Sequence, residues 1–282
     1  MPQKADTMNI LYSGDANIAD GVTISALSLC RTAKETLNIY ILTATVSHGN
    51  ICREALPKEF ETFLEKHIKK YNENNRVTLI DITERFLKEE PTANMDTRFT
   101  PCCMLRLYAD TVPELPDKIL YLDNDVICRL DPSEFYNTDM TDFSIAGSLD
   151  FYGSWFFRNK PLIRDYLNSG VLLLNLKRIR ENSLFVECRN KCKNQKMFMP
   201  DQSAINKLCE DKKICHRKFN EQRKLKEDTV FQHFTTSFRF LPFFHTVSVK
   251  PWNIEGMHKI LHIYEYDSLL DEYQNISALY RR

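Results

Sequence analysis

The sequence predicts an α/β fold with a mostly parallel central sheet and helices on both faces. Three observations carry this prediction. Short segments rich in apolar and β-branched residues alternate with stretches that repeat apolar residues at helical spacing. Several strand-like segments are apolar almost without interruption, as strands covered on both faces are. The chain has 282 residues, 43% of them hydrophobic, enough for one large domain with a substantial core.

Taken in order, "MNILYS" (8–13), "NIYILTATV" (38–46), "RVTLIDI" (76–82), "KILYLD" (118–123), "FSIAGSL" (143–149) and "GVLLLNL" (170–176) read as strands. Between them, the spacing predicts a helix over 21–35, capped by Asp20, with Val22, Ala26, Leu27 and Cys30 along one side. A second helix over 59–71 turns Phe60, Phe63, Leu64 and Ile68 inward. Two more are expected over 180–193 and 202–210. The run "RKFNEQRKLKED" (217–228) is dense in charge and reads as a solvated excursion. The expected organisation is a catalytic domain over residues 1–260 and a C-terminal helical appendage over 261–282.

Composition narrows the function. Lysine and arginine (38) balance aspartate and glutamate (38), so no global field draws the chain to nucleic acid. No run of about 18 apolar residues occurs, and the polar start "MPQKADTMN" carries no signal-peptide pattern. Nine scattered cysteines, none spaced as CxxC, read as reduced thiols of a cytoplasmic protein; a zinc site at Cys209, Cys215 and His216 lacks a second half. Glycine numbers only seven, and no GxG occurs, which excludes the dinucleotide fingerprint and the P-loop. A phosphorylated ligand would have to be met by a metal or by side chains.

The most informative stretch is "KILYLDNDVICRL", where a buried-strand pattern ends in Asp123 and Asp125 with only Asn124 between. Residues i and i+2 of an extended chain project to one side, so both carboxylates aim at one point beyond the strand's carboxyl end. Ligands bind at that edge of open α/β sheets. Two carboxylates held together repel unless a cation lies between them, which points to a divalent metal; a solvated acidic turn is the other reading of these three residues. A phosphohydrolase of the haloacid-dehalogenase type also places DxD after a strand, with the first Asp as nucleophile. Its loop continues into small residues near the N-terminus, whereas Val126, Ile127 and Cys128 follow here in mid-chain.

"ILYLDNDVI" resembles the DxD strand of glycosyltransferase family 8, which includes bacterial lipopolysaccharide α-galactosyltransferases and the glycogenins. "ILYSGDANI", "MLRLYAD", "SLD", "NSGVLLLNLKR", "PDQSAIN" and "KPW" follow the family's order, from Met8 to about Trp252. The resemblance implies a GT-A type, Rossmann-like domain. It also implies retaining transfer of a hexose, galactose or glucose, from a UDP-sugar to a glycan or glycolipid acceptor. The implied cofactor is Mn²⁺, with Mg²⁺ as the alternative.

By the same resemblance, Asp15 and Asn17 hold the uracil and ribose, where the bare "SGDAN" alone reads as a turn. Asp123 and Asp125 bind the metal, with Asn124 beside the donor. The third ligand is a histidine shortly before the "KPW" lysine. His245, five residues before Lys250, is preferred; His233 in "QHFT" is the alternative. Lys250 meets the phosphate, and Arg106 reaches the sugar and diphosphate from a helix. Asp150, Asn168, Asp201 and Gln202 hydrogen-bond the sugar. Gln202 stands where a nucleophile would, and an amide is a poor one, so attack on the leaving-group face is expected, with the diphosphate taking the acceptor's proton. A family member that binds UDP-sugar without catalysis is a further alternative, and membrane contact is expected to be peripheral at most.

Overall fold

The computed structural model describes residues 7–96, 100–151, 165–239 and 245–280. Seven strands form its main sheet: β1 (Thr7–Gly14), β2 (Thr36–Thr43), β3 (Arg76–Asp81), β4 (Lys118–Leu122), β5 (Ile145–Leu149), β6 (Leu167–Asn175) and β7 (Lys212–Cys215). Their order is β7-β5-β6-β4-β1-β2-β3. All run parallel except β6, which is antiparallel to both its neighbours, β4 and β5.

Alternation along the central strands explains the layering. Ile10 and Tyr12 of β1, Leu120 and Leu122 of β4, and Val171 and Leu173 of β6 share one apolar cluster. Leu11, Ile119, Tyr121, Leu172 and Leu174 point the other way into a second cluster. Period-two side chains buried on both sides require cover on both sides. On the first face it comes from α1 (Ala19–Thr32) and α2 (Glu59–Ile68), through Val22, Ala26, Leu29, Phe60, Leu64 and Ile68. On the second it comes from a 3-10 helix (Pro101–Thr111) and from α3 (Leu176–Glu181), α4 (Leu184–Asn194) and α5 (Pro200–Leu208).

Three expectations need correction. The single helix over 180–193 is two, α3 and α4, separated at Ser183, whose φ of 57° lies in the left-handed region. Asp20 is not the cap of α1, which follows directly on a short 3-10 turn (Ala16–Ile18), so Asp20 falls in its first turn. The charged run over 217–228 is not wholly solvated: Asn220, Glu221 and Gln222 are buried, and Glu221 exchanges backbone hydrogen bonds with Phe231 and His233.

The C-terminal α6 (Asp267–Tyr280) lies on α1. Leu269, Leu270, Tyr273 and Ile276 join Ile24 and Leu27 in a third apolar cluster, and Arg31 bonds Glu272 at 2.6 Å. Among the described residues no helix is long and apolar enough to cross a membrane.

Candidate active site

The apolar run Ile119–Leu122 ends β4 inside the sheet, and the chain then turns at Asp123 and Asn124. Antiparallel β6 runs beside it, so Asp123 N–H donates to Gly170 O at 2.8 Å. After the turn, Val126–Cys128 pairs antiparallel with Phe231–His233, with Val126 opposite His233. That pairing carries a histidine more than a hundred residues away to the acidic turn. His233 Nε2 lies 3.1 Å from Asp125 Oδ1 and 3.7 Å from Asp123 Oδ2. Ligand atoms of Asp123, Asp125 and His233 all fall within 4.8 Å of one another.

The sequence favours His245 as the metal histidine; among the described residues, the histidine at the carboxylates is its alternative, His233. The backbone of His245 pairs with Arg239 in a hairpin, and its side chain lies outside the described residues.

The donor set suits a divalent cation. His233 Nδ1 faces Asn220 Oδ1 at 3.1 Å, and the Asn220 amide donates its own N–H to Asn168 Oδ1 at 2.9 Å. An acceptor at Nδ1 places the proton there and leaves the Nε2 lone pair toward the two carboxylates. Gly170 makes the space: a Cβ on it would lie 2.1 Å from His233 Cε1 and 2.8 Å from Asp123 Oδ2. Two carboxylates with one imidazole match Mn²⁺ better than Mg²⁺. On the far side, α1 presses on the turn, since a Cβ on Gly21 would lie 2.4 Å from Asn124 O.

Each acid has its own electrostatic partner. Asp123 Oδ1 accepts from Arg106 Nη2 and from the Tyr121 hydroxyl, both at 2.8 Å. The Arg106 guanidinium also lies over the Tyr121 ring, 4.3 Å from its centroid. Lys250 Nζ donates to Asp125 Oδ2 and, at 2.8 Å, to Phe234 O. Burial pushes the Asp125 carboxyl up, but the Lys250 ammonium beside it outweighs burial and holds the group below the usual carboxylate range. Lys250 therefore sits on Asp125, one of the three residues of the candidate triad.

The other sequence-predicted residues fall on both sides of this turn. Asp15 follows β1, the parallel neighbour of β4, and caps the 3-10 turn by accepting from Asn17 N at 2.9 Å. It is buried and lies 3.4 Å from Arg53 Nη1, whereas Asn17 is exposed. On the other side, a chain of hydrogen bonds links the remaining residues. Asn168 Nδ2 donates to Asp150 Oδ2 at 2.8 Å, and Gln202 Nε2 donates to the same oxygen at 3.3 Å. Gln202 Oε1 accepts from Ser169 N at 2.9 Å; Ser169 Oγ donates to Asp201 Oδ2 at 3.2 Å, and Arg106 Nε lies 3.2 Å from that oxygen. The path from His233 through Asn220, Asn168, Asp150, Gln202, Ser169 and Asp201 to Arg106 ends at Asp123.

Sequence reasoning passed over three members of this assembly. Ser169 lies inside the quoted "NSGV" and its neighbours drew the attention. Tyr121 reads as one more strand residue. Asn220 sits in the charged run, where only the apolar Phe219 beside it signals burial.

The family model described as Glycosyl transferase family 8 matches residues 9–256, and the chain belongs to that family. The lipopolysaccharide 1,2-glucosyltransferase of Escherichia coli K12 is 27% identical over 214 residues, 72% of this chain and 59% of its own. The lipopolysaccharide 1,3-galactosyltransferase of Salmonella typhimurium is 25% identical over 91% of this chain and 76% of its own. The chain spans about three fifths (64% and 59%) of the length of the first curated relatives it matches. Among solved structures, LgtC aligns as an active-site mutant with a TM-score of 0.68 at 17% identity, over 96% of this chain and 95% of that one. It also aligns, as a galactosyltransferase in complex with donor and acceptor sugar analogs, with a TM-score of 0.62 at 18% identity, over 95% of this chain and 96% of that one.

Proposed function

We propose that this chain transfers a hexose, galactose or glucose, from a UDP-sugar to a glycan or glycolipid acceptor, with retention at the anomeric carbon. The observation that carries the reading is the convergence of Asp123, Asp125 and His233 at the carboxyl edge of the sheet. The loop of Asp15 and Asn17 ends the neighbouring parallel strand, at the right edge for a nucleoside. Family membership favours a transferase over the phosphohydrolase reading, and so does Asp123, whose Oδ1 is committed to Arg106 and Tyr121.

Asp123, Asp125 and His233 would hold Mn²⁺. Bound there, the ion supplies Lewis-acid stabilisation to the departing diphosphate. Asn220 fixes the imidazole so that Nε2 remains a ligand, and Arg106 orients Asp123. Lys250, drawn to Asp125 in the free protein, is positioned to pass its charge to a diphosphate oxygen. Asp150, Asn168, Asp201 and Gln202 present a buried polar wall to the sugar. The Asp201 carboxylate is shared between Arg106 and Ser169, and that of Asp150 between Asn168 and Gln202. Acids committed in this way make weak nucleophiles, which supports attack on the leaving-group face with the acceptor's proton passing to the diphosphate. All nine cysteines are free, which favours a reducing compartment such as the cytoplasm.

The test is UDP release from a panel of UDP-glucose, UDP-galactose and their N-acetylated counterparts, with and without Mn²⁺. Slow donor hydrolysis reveals the donor without knowledge of the acceptor. Release from one UDP-hexose that depends on Mn²⁺ is the expected result. Inertness toward every donor, or cleavage of phosphate monoesters instead, would overturn the reading.

A further inference from the structure

Beyond the metal triad, a cavity of about 970 Å³ opens with His233 and Thr235 in its wall. Its size is at the upper end of what small-molecule sites occupy, about 300–1,000 Å³. The strap Arg223–Lys226 lines it, together with the apolar side chains of Val249 and Ile263 and the ring of Tyr264.

The strap is tied to the catalytic centre at its root. Asn220 bonds the His233 ring, and Glu221 O accepts from His233 N at 2.9 Å. Gln222 is buried, with Oε1 accepting from Phe151 N at 3.1 Å. The next residues, Arg223 and Lys224, are exposed, as is Lys226. The Arg223 guanidinium lies 4.4 Å from the centroid of the Phe151 ring, which orients it without neutralising it.

The charge balance of the cavity is one-sided, although the whole chain is neutral. Both acids in its wall are already paired: Glu221 with Arg217 at 2.8 Å, and Glu265 with Arg129 at 2.5 Å. Arg223, Lys224 and Lys226 make no ion pair with any described residue. Three cations without an ion-pair partner among the described residues, lining one cavity with apolar groups and next to the proposed metal histidine, suit an anion carried on a larger, partly apolar body. Thr235 Oγ1, beneath the same wall, is the one buried side-chain polar atom among the described residues that lacks a hydrogen-bond partner.

We infer that this cavity is the acceptor site and that it selects a saccharide bearing a phosphate or a carboxylate, held by Arg223, Lys224 and Lys226. The inference rests on the transferase reading above. It is tested on the full chain by calorimetric titration with lactose, 3′-sialyllactose, glucose and glucose 6-phosphate. The same titrations are run on the triple variant Arg223→Gln, Lys224→Gln, Lys226→Gln. Donor hydrolysis is measured in parallel, and none of the three residues belongs to the donor machinery.

The expected result is that at least one of the two anionic sugars binds at least about tenfold tighter than its neutral counterpart, in a salt-sensitive way. The triple variant should lose that margin while donor hydrolysis stays within about twofold. The two anionic probes separate a carboxylate-selective from a phosphate-selective site. Equal binding of neutral and anionic sugars, or a preference that survives in the variant, overturns the inference. So does loss in the variant of binding to phosphatidylglycerol vesicles alone, which would make the strap a membrane contact. Absence of donor hydrolysis in the wild type sinks the transferase reading separately, whatever the sugars do.

Discussion

Asn220 joins the candidate triad to the polar residues beyond it. Fully buried, it accepts from His233 Nδ1 and donates to Asn168, so one amide fixes a tautomer and anchors the hydrogen-bonded chain that runs through Asn168. Replacing such an outer partner of a metal histidine typically costs 10–100-fold in affinity, at about 1.4 kcal/mol per tenfold. Asn220→Leu should therefore weaken Mn²⁺ binding by roughly 10–100-fold, read by electron paramagnetic resonance titration. Asn220→Asp, which keeps an acceptor for the ring N–H, should restore most of it. Unchanged Mn²⁺ affinity in Asn220→Leu would remove Asn220 from the site's function. The acidic pair itself was legible in the sequence because its i, i+2 spacing after an apolar run is local geometry. The histidine was not, because two candidates precede Lys250 and only a strand pairing between Val126 and His233 decides which reaches the acids.

Elements show the same divide between local and long-range information. The strands of the sheet's centre were readable because both their faces are buried, and continuous apolar runs follow from that. Edge strand β7, "KKIC", escaped notice because none of its side chains is fully buried and its charges resemble a loop. Its position is fixed by Asp211, whose carboxylate accepts from Ser144 Oγ at 2.8 Å and pairs with Arg178 of α3 at 2.5 Å. Burial pushes the Asp211 carboxyl up, but Arg178, Ser144 and Cys209 outweigh it and hold the group below its ordinary range. A depressed carboxyl stabilises the fold above its unfolded value, about 3.9, and that contribution is lost as pH falls below it. In Asp211→Asn the drop in urea midpoint between pH 7 and pH 3 should be smaller than in the wild type; an identical drop would refute the assignment. The single helix expected over 180–193 failed for a related reason, since Ser183 turns the chain where periodicity alone continues.

At the scale of the whole molecule, α6 packs on α1, the helix whose Gly21 presses on the acidic turn. Leu270, 1% exposed between these helices, should cost about 2–5 kcal/mol when cut to alanine, measured by denaturant unfolding. A loss well under that range would mean the C-terminal helix is only loosely docked. The sheet, its order and the acidic turn together bring the Asp15 loop, the acidic turn with His233, and the buried polar residues from Asp150 to Gln202 to one edge. The most direct test compares Mn²⁺ binding in His233→Ala and His245→Ala with that of the wild type, by electron paramagnetic resonance in the absence of donor. The account predicts that His233→Ala loses most of its Mn²⁺ affinity, whereas His245→Ala binds as the wild type does. Wild-type binding by His233→Ala together with loss in His245→Ala would contradict it.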